Sequence, residues 1–159
     1  GFVAVAFLVC TITGLVVHKK IFRNFFTFRR NAKSAQTRWL DAHVDGIDLA
    51  VLSPATRARQ TWDLVAAELH RPPPTRVDDR VYAASERELL AVVRRLPDDT
   101  GTVVLVGHNP GIEDLASTIT GQPTAMPTSA LAVVAWSGSW STAGEQAATL
   151  RASGRPPAG

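Results

Sequence analysis

The chain has a single cysteine, Cys10, in 159 residues, so no disulfide can form within it and nothing points to an oxidising compartment. Other absences are regional. No acidic residue occurs in the first forty positions, no lysine after Lys33, no phenylalanine after Phe28 and no tryptophan before Trp39. One domain sampling one composition would not divide so sharply, so the chain reads as a head, residues 1–28, and a body, residues 29–159. Residues 41–159 carry ten arginines against fourteen acids, and their net charge of −4 is hidden by the seven basic residues of positions 1–40. With no basic stripe and no aromatic–basic interleaving in the body, a nucleic-acid partner is excluded despite the pI of about 9.6. A hydrophobic share of 45% and a charged share of 19% exclude disorder.

The head opens with sixteen uncharged residues, Phe2 to Val17 (FVAVAFLVCTITGLVV), followed by His18-Lys19-Lys20. A spanning helix needs about 20 apolar residues, with about 17 as the lower limit. No basic segment precedes the run and no small-residue cleavage site follows it, which argues against a secretory signal. Residues 2–17 therefore read as a candidate membrane anchor, and the basic cluster after them would leave the body on the cytoplasmic side. The alternatives are a buried strand or helix of a larger fold, or a stretch foreign to the domain.

In the body, helical and strand signals alternate. Ala32, Ala35, Trp39 and Leu40 form a helical stripe ending before the Asp45-Gly46 turn, and Ile47–Leu52 is a strand-like run. Ser53-Pro54 reads as N-cap and first residue of a helix whose inner face is Ala58, Trp62, Val65 and Leu69, stopped by Arg71 and three prolines. Ser85-Glu86-Arg87-Glu88 is a capping box opening a helix with Leu89, Val93 and Leu96 inward. Thr102–Val106 is continuously apolar, as strands covered on both faces are. Asn109-Pro110 then reads as the cap of a helix with Ile112, Leu115 and Ile119 inward and Gly121 at its end. Ala130–Trp136 and Ala147–Arg151 complete the strands. Strands alternating with helices predict a wound, three-layer α/β/α sheet.

Sites in such sheets lie beyond the carboxyl ends of the strands. Two strands here run directly into helices, through LSPATRARQT and VGHNPG. A helix N-terminus suits an anion, Arg57 lies one turn into the first helix, and His108 stands at the mouth of the second. Alone, each residue has a plain structural reading, His108 as a satisfied group at a strand end and Arg57 as a solvated helix residue. Together they predict an oxyanion site, most simply for a phosphoryl group.

These residues carry a resemblance. SPATRARQTWDLVAAEL at 53–69, VVLVGHNPG at 103–111 and the closing PTSALAVVAWSGSW at 127–140 resemble the histidine phosphatase superfamily, most nearly its small bacterial phosphohistidine phosphatases of the SixA type. The likeness covers roughly residues 38–159 and implies a phosphoglycerate-mutase-like fold. It implies that Arg57 and His108 are the phosphate clamp, and that a histidine attacks phosphorus to give a phosphohistidine intermediate. It implies no metal or cofactor, and a phosphorylated protein or small phosphate ester as partner. The stretch VYAASEREL at 81–89 resembles the small subgroup, which manages without a carboxylic acid for an alkoxide leaving group.

The family's nucleophile follows the first strand in an R-H-G or R-H-A-K-S motif, and this sequence has none. Two registers are open. In one, FFTFRRNAKS holds that place, Arg30 binds phosphate and Asn31 occupies the nucleophile position. In the other, RRNAKSAQTRWL is the family's first helix and the head has replaced the nucleophile strand. The second needs no internal deletion and accounts for the break in composition, so it is preferred. Either way the first strand is missing or substituted, with Asn24–Phe28 (NFFTF) able to refill its slot. An amide cannot replace the histidine, because its nitrogen lone pair is delocalised. His43 and His70 read as solvated groups at helix ends. The expected function is a phosphohistidine-phosphatase-like hydrolase impaired as written. The alternative is a non-catalytic, membrane-tethered phospho-ligand binding module.

Overall fold

Side chains along the strands alternate between two apolar layers, and that alternation fixes the architecture. The computed structural model describes residues 2–9, 35–127 and 130–154, with side chains from Thr37 onward. Its order is β1 (Phe2–Val9), α1 (Ala35–His43), β2 (Leu49–Leu52), α2 (Thr56–Ala66), β3 (Thr75–Val77), a 3-10 turn (Asp79–Val81), α3 (Glu86–Val93), β4 (Thr102–Gly107), α4 (Gly111–Thr120), β5 (Leu131–Ser137), a second 3-10 turn (Trp140–Thr142) and β6 (Thr149–Gly154). The strands form one sheet in the order β3-β2-β4-β1-β5-β6. Strands β1 to β4 run parallel, and β5 and β6 are antiparallel to their neighbours.

Val51, Val103, Leu105, Ala132 and Val134 face one layer, built by α3 and α4 through Leu89, Val93, Ile112, Leu115 and Ile119. Ala50, Leu52, Val104, Val106, Leu131 and Val133 face the other, built by α1 and α2 through Leu40, Ala58, Trp62 and Val65. Successive residues pointing to opposite faces is the two-residue period of a strand, and apolarity on both faces follows from burial on both. The expected three-layer wound sheet is thus the fold.

The slot beside β4 is occupied. Phe2–Val9, the first half of the apolar run, pairs in parallel with β4 from Ala4↔Thr102 to Val9↔Gly107 and antiparallel with β5 from Phe2↔Ser137 to Leu8↔Leu131. The first-strand position is therefore filled, and residues 2–9 fill it. Asn24–Phe28 lies outside the described residues, as do His18, Arg30 and Asn31.

Three local expectations hold and two need correction. The Ser85–Glu88 capping box is formed in both directions. Gly121 ends α4 with φ +67, a left-handed conformation that only glycine adopts cheaply. Leu89, Val93 and Leu96 are all buried. Ser53, however, is not an N-cap: α2 starts later, with Ala55 at the cap position and no side-chain capping bond. Nor does Asn109 cap α4, whose cap position is Pro110. The Asn109 Nδ2 instead donates to the carbonyl of Met126, tying the following loop to the strand end. In both cases a polar side chain at a strand end has a partner distant in sequence, His108 for Ser53 and Met126 for Asn109.

Candidate functional site

Because β1 to β4 are parallel, their carboxyl ends share one rim, with Val9, Leu52, Val77 and Gly107 as the last residues. Ser53, Asp78 and His108 are the first residues beyond β2, β3 and β4, and they carry the polar chemistry of that rim.

Arg57, second residue of α2, donates its Nε–H to Nδ1 of His108 at 3.2 Å, across 51 positions of sequence. The guanidinium has only donors, so Nδ1 must be the acceptor, which leaves the imidazole proton on Nε2. That nitrogen lies 2.9 Å from Oγ of Ser53 and donates to it. Ser53 is fully buried, and its Oγ also accepts from the backbone N–H of Ala55 at 3.3 Å. With its lone pairs committed to two donors, Ser53 fixes the plane of the ring, and Arg57 fixes its tautomer. Burial lowers the His108 pKa below its usual value, and the adjacent Arg57 charge lowers it further, so the resting imidazole is neutral. Arg59, two positions beyond Arg57, is exposed.

The third strand end adds a braced turn. Asp78, buried, is gripped by Arg80 through Nε to Oδ1 at 2.9 Å and Nη2 to Oδ2 at 2.7 Å, a two-pronged fork. Those bonds hold the Asp78 carboxyl below the usual carboxylate range against the opposing effect of burial. The braced 3-10 turn delivers Tyr82, whose ring meets that of His108 edge-on at 6.3 Å. The next residue, Ala83, has φ +48, an uncommon conformation for a residue with a side chain. Ala84 then packs its carbonyl against the start of α4, where a Cβ on Gly111 would lie 2.1 Å from the Ala84 oxygen. Glycine at 111 is thus required by close approach rather than by its own dihedral.

Of the predicted site residues, Arg57 and His108 are brought together. Sequence reasoning missed Ser53 and Tyr82 as members of the rim. In sequence Ser53 reads as a helix cap, although a serine at the end of a buried strand also has the option of bonding sideways. Tyr82 is the only tyrosine in the chain and stands in the VYAASEREL stretch, but its nearness to His108 depends on how β3 and β4 align. The remaining described histidines lie elsewhere. His43 donates Nδ1–H to the Trp39 carbonyl at 2.7 Å and stacks on that indole. His70 lines a cavity of about 370 Å³ with Leu40, Asp45 and Asp48. Among the described residues no group of His, Cys, Asp and Glu is arranged to hold a metal ion, and no helix is long and apolar enough to cross a membrane.

Residues 1–45 match the family model of a PepSY-associated TM region. The uncharacterized protein Rv1276c of Mycobacterium tuberculosis is 32% identical over 113 residues, 64% of this chain and 69% of that protein. The uncharacterized protein ML1117 of Mycobacterium leprae is 30% identical over 112 residues, 64% of this chain and 67% of that protein. Among solved structures, the SixA protein of Nakamurella multipartitia superposes with a TM-score of 0.76 at 22% identity, covering 99% of this chain and 98% of that one. The protein histidine phosphatase SixA complexed with tungstate gives 0.68 at 17%, covering 96% and 97%. The chain belongs to one family with the two mycobacterial proteins, and the fold it carries is that of the histidine phosphatases.

Proposed function

We propose that the body is a phosphatase-like domain in which Arg57 and His108 grip the phosphoryl group of a phosphorylated protein or small phosphate ester, with turnover impaired. The observation that carries this reading is the 3.2 Å contact between Arg57 Nε and His108 Nδ1 at the rim of the parallel strands. A guanidinium offers two parallel N–H donors to phosphoryl oxygens, and a neutral imidazole beside it takes up a proton as negative charge arrives. A fold shared with a SixA that holds tungstate, an oxyanion of phosphate-like shape, supports the same ligand class. Impairment follows from chemistry that the sequence lacks. In the histidine phosphatases the covalent phosphoryl carrier is an imidazole that follows the first strand, whereas the residues after Val9 here are Cys10-Thr11-Ile12-Thr13 and include no histidine.

The test is a turnover assay with a phosphohistidine peptide and an aryl phosphate. We expect rates no higher than those of His108→Ala, and no phosphoenzyme trapped on alkaline quench, which preserves a phosphohistidine. Turnover that His108→Ala abolishes would overturn the impairment.

A second reading is favoured by the match of residues 1–45 to a PepSY-associated TM region, namely a membrane-tethered, non-catalytic phospho-ligand binder with its body on the cytoplasmic side. Residues 2–9 cannot pair with β4 and β5 and span a bilayer at once, so the two roles exclude each other in any one molecule. Flotation of the full chain with liposomes tests it: recovery with the lipid supports a tether, and recovery in the unbound fraction contradicts it.

A further inference from the structure

Among the described residues, two large hydrophobic side chains are exposed, Val77 at 46% and Tyr82 at 60%. Val77 needs no special account, since it lies on the edge strand β3. Tyr82 does. A side chain left mostly in water returns little burial energy, yet three features combine to hold it at the rim. The Asp78–Arg80 fork braces the turn before it. The left-handed Ala83 redirects the chain immediately after it. The close seat of Ala84 on Gly111 then fixes the loop to the start of α4. Backbone strain of this kind persists where surrounding structure enforces it, and it gathers at ligand sites. The result is an aromatic ring in edge contact with His108 and open to solvent on its remaining surface.

We propose that Tyr82 is a specificity residue of the phosphoryl site, an aromatic platform for a planar ring that bears the phosphoryl group. This inference rests on the reading of Arg57 and His108 as the phosphoryl grip. A phosphoryl group held there must project its substituent outward over the rim, and among the described residues Tyr82 is an exposed aromatic surface at that rim. An alkyl substituent gains only area on such a surface, whereas a flat ring gains offset or edge contact as well. Two ring chemistries meet the description, the imidazole of a phosphohistidine and the phenyl of an aryl phosphate.

The experiment measures dissociation constants of the full chain for methylphosphonate, phenylphosphonate and an imidazolylphosphonate, which share one head group and differ only in the substituent. Inorganic phosphate serves as the reference. We expect at least one ring-bearing phosphonate to bind about three- to tenfold more tightly than methylphosphonate. Tyr82→Ala should erase that advantage and leave inorganic phosphate unaffected, and Tyr82→Phe should retain it. A gain confined to the imidazolyl compound assigns the ring to phosphohistidine, and one confined to the phenyl compound assigns it to aryl esters. Equal binding of all three phosphonates, or a ring advantage that survives Tyr82→Ala, overturns the platform while leaving the grip intact. Failure of inorganic phosphate and all three phosphonates to bind overturns both.

Discussion

Arg57 donates to Nδ1 of His108, and that contact, together with burial of the ring, favours a neutral imidazole at rest. A proton on Nδ1 would face a donor instead of meeting an acceptor, so the contact and the neutral ring imply each other. Free of ligand, the rim carries its positive charge on Arg57 and keeps an uncharged base beside it.

The first prediction is therefore a titration. His108 should show a protonation midpoint below the ordinary 6.5 when its ring signals are followed by NMR against pH. Arg57→Met should raise the midpoint only in part, because burial is the larger cause and the guanidinium the smaller. The sign carries over to stability. The unfolded chain takes up this proton first, so stability linked to His108 is complete above the unfolded value and declines as pH falls through the folded one. A midpoint above 6.5 would mean that the ring is paired with an acceptor on Nδ1, contrary to the geometry.

Ser53→Ala removes the acceptor of the His108 Nε2–H inside a fully buried position. Leaving that donor unmet should cost about 1–3 kcal/mol in urea denaturation. It should also broaden the His108 ring signals, since the ring plane loses its second restraint. A neutral effect on both would show that Ser53 is a passive core residue.

Gly111→Ala would put a Cβ 2.1 Å from the Ala84 carbonyl oxygen, well inside any tolerable contact. The loop must retreat, at a cost of about 1–3 kcal/mol as in other overpacked sites. Because Ala84 lies two residues beyond Tyr82, the ring contact with His108 should change too, visible as a shift of the Tyr82 and His108 aromatic signals. Full stability with unmoved signals would contradict the described approach.

Much of this rim could be read from the chain, and the reasons for the rest are physical. The doubly buried strand around Val104, the helix stripes and the Ser85–Glu88 box are local patterns, and local patterns survive folding. The pairing of Arg57 with His108 was legible because each follows the end of a strand and parallel strands bring those ends together. The partners of Ser53, Asn109 and Tyr82 were not, because they depend on which strands are neighbours and in which register. The run from Phe2 to Val9 was ambiguous for a different reason: unbroken apolarity suits a sheet buried on both faces as well as it suits a bilayer.

That ambiguity yields a prediction. With β1 between β4 and β5, removing residues 1–34 cuts the sheet into β3-β2-β4 and β5-β6 and bares two strand edges. The shortened chain should lose cooperative unfolding and gain a tendency to associate. Cooperative unfolding at the full chain's midpoint would show that β1 is dispensable and free to act elsewhere.

The most direct measurement is a titration of the full chain with inorganic phosphate, following the His108 ring by NMR. One arginine fork and a helix N-terminus contribute about 2–4 kcal/mol, which places the affinity near the millimolar range. The His108 signals should move saturably, and the response should weaken with added salt. Arg57→Ala should weaken binding clearly, and Arg59→Ala, which alters an exposed neighbour on the same helix, should leave it nearly unchanged. Signals that stay still up to tens of millimolar phosphate, or a greater dependence on Arg59 than on Arg57, would contradict the assignment of a phosphoryl site to Arg57 and His108.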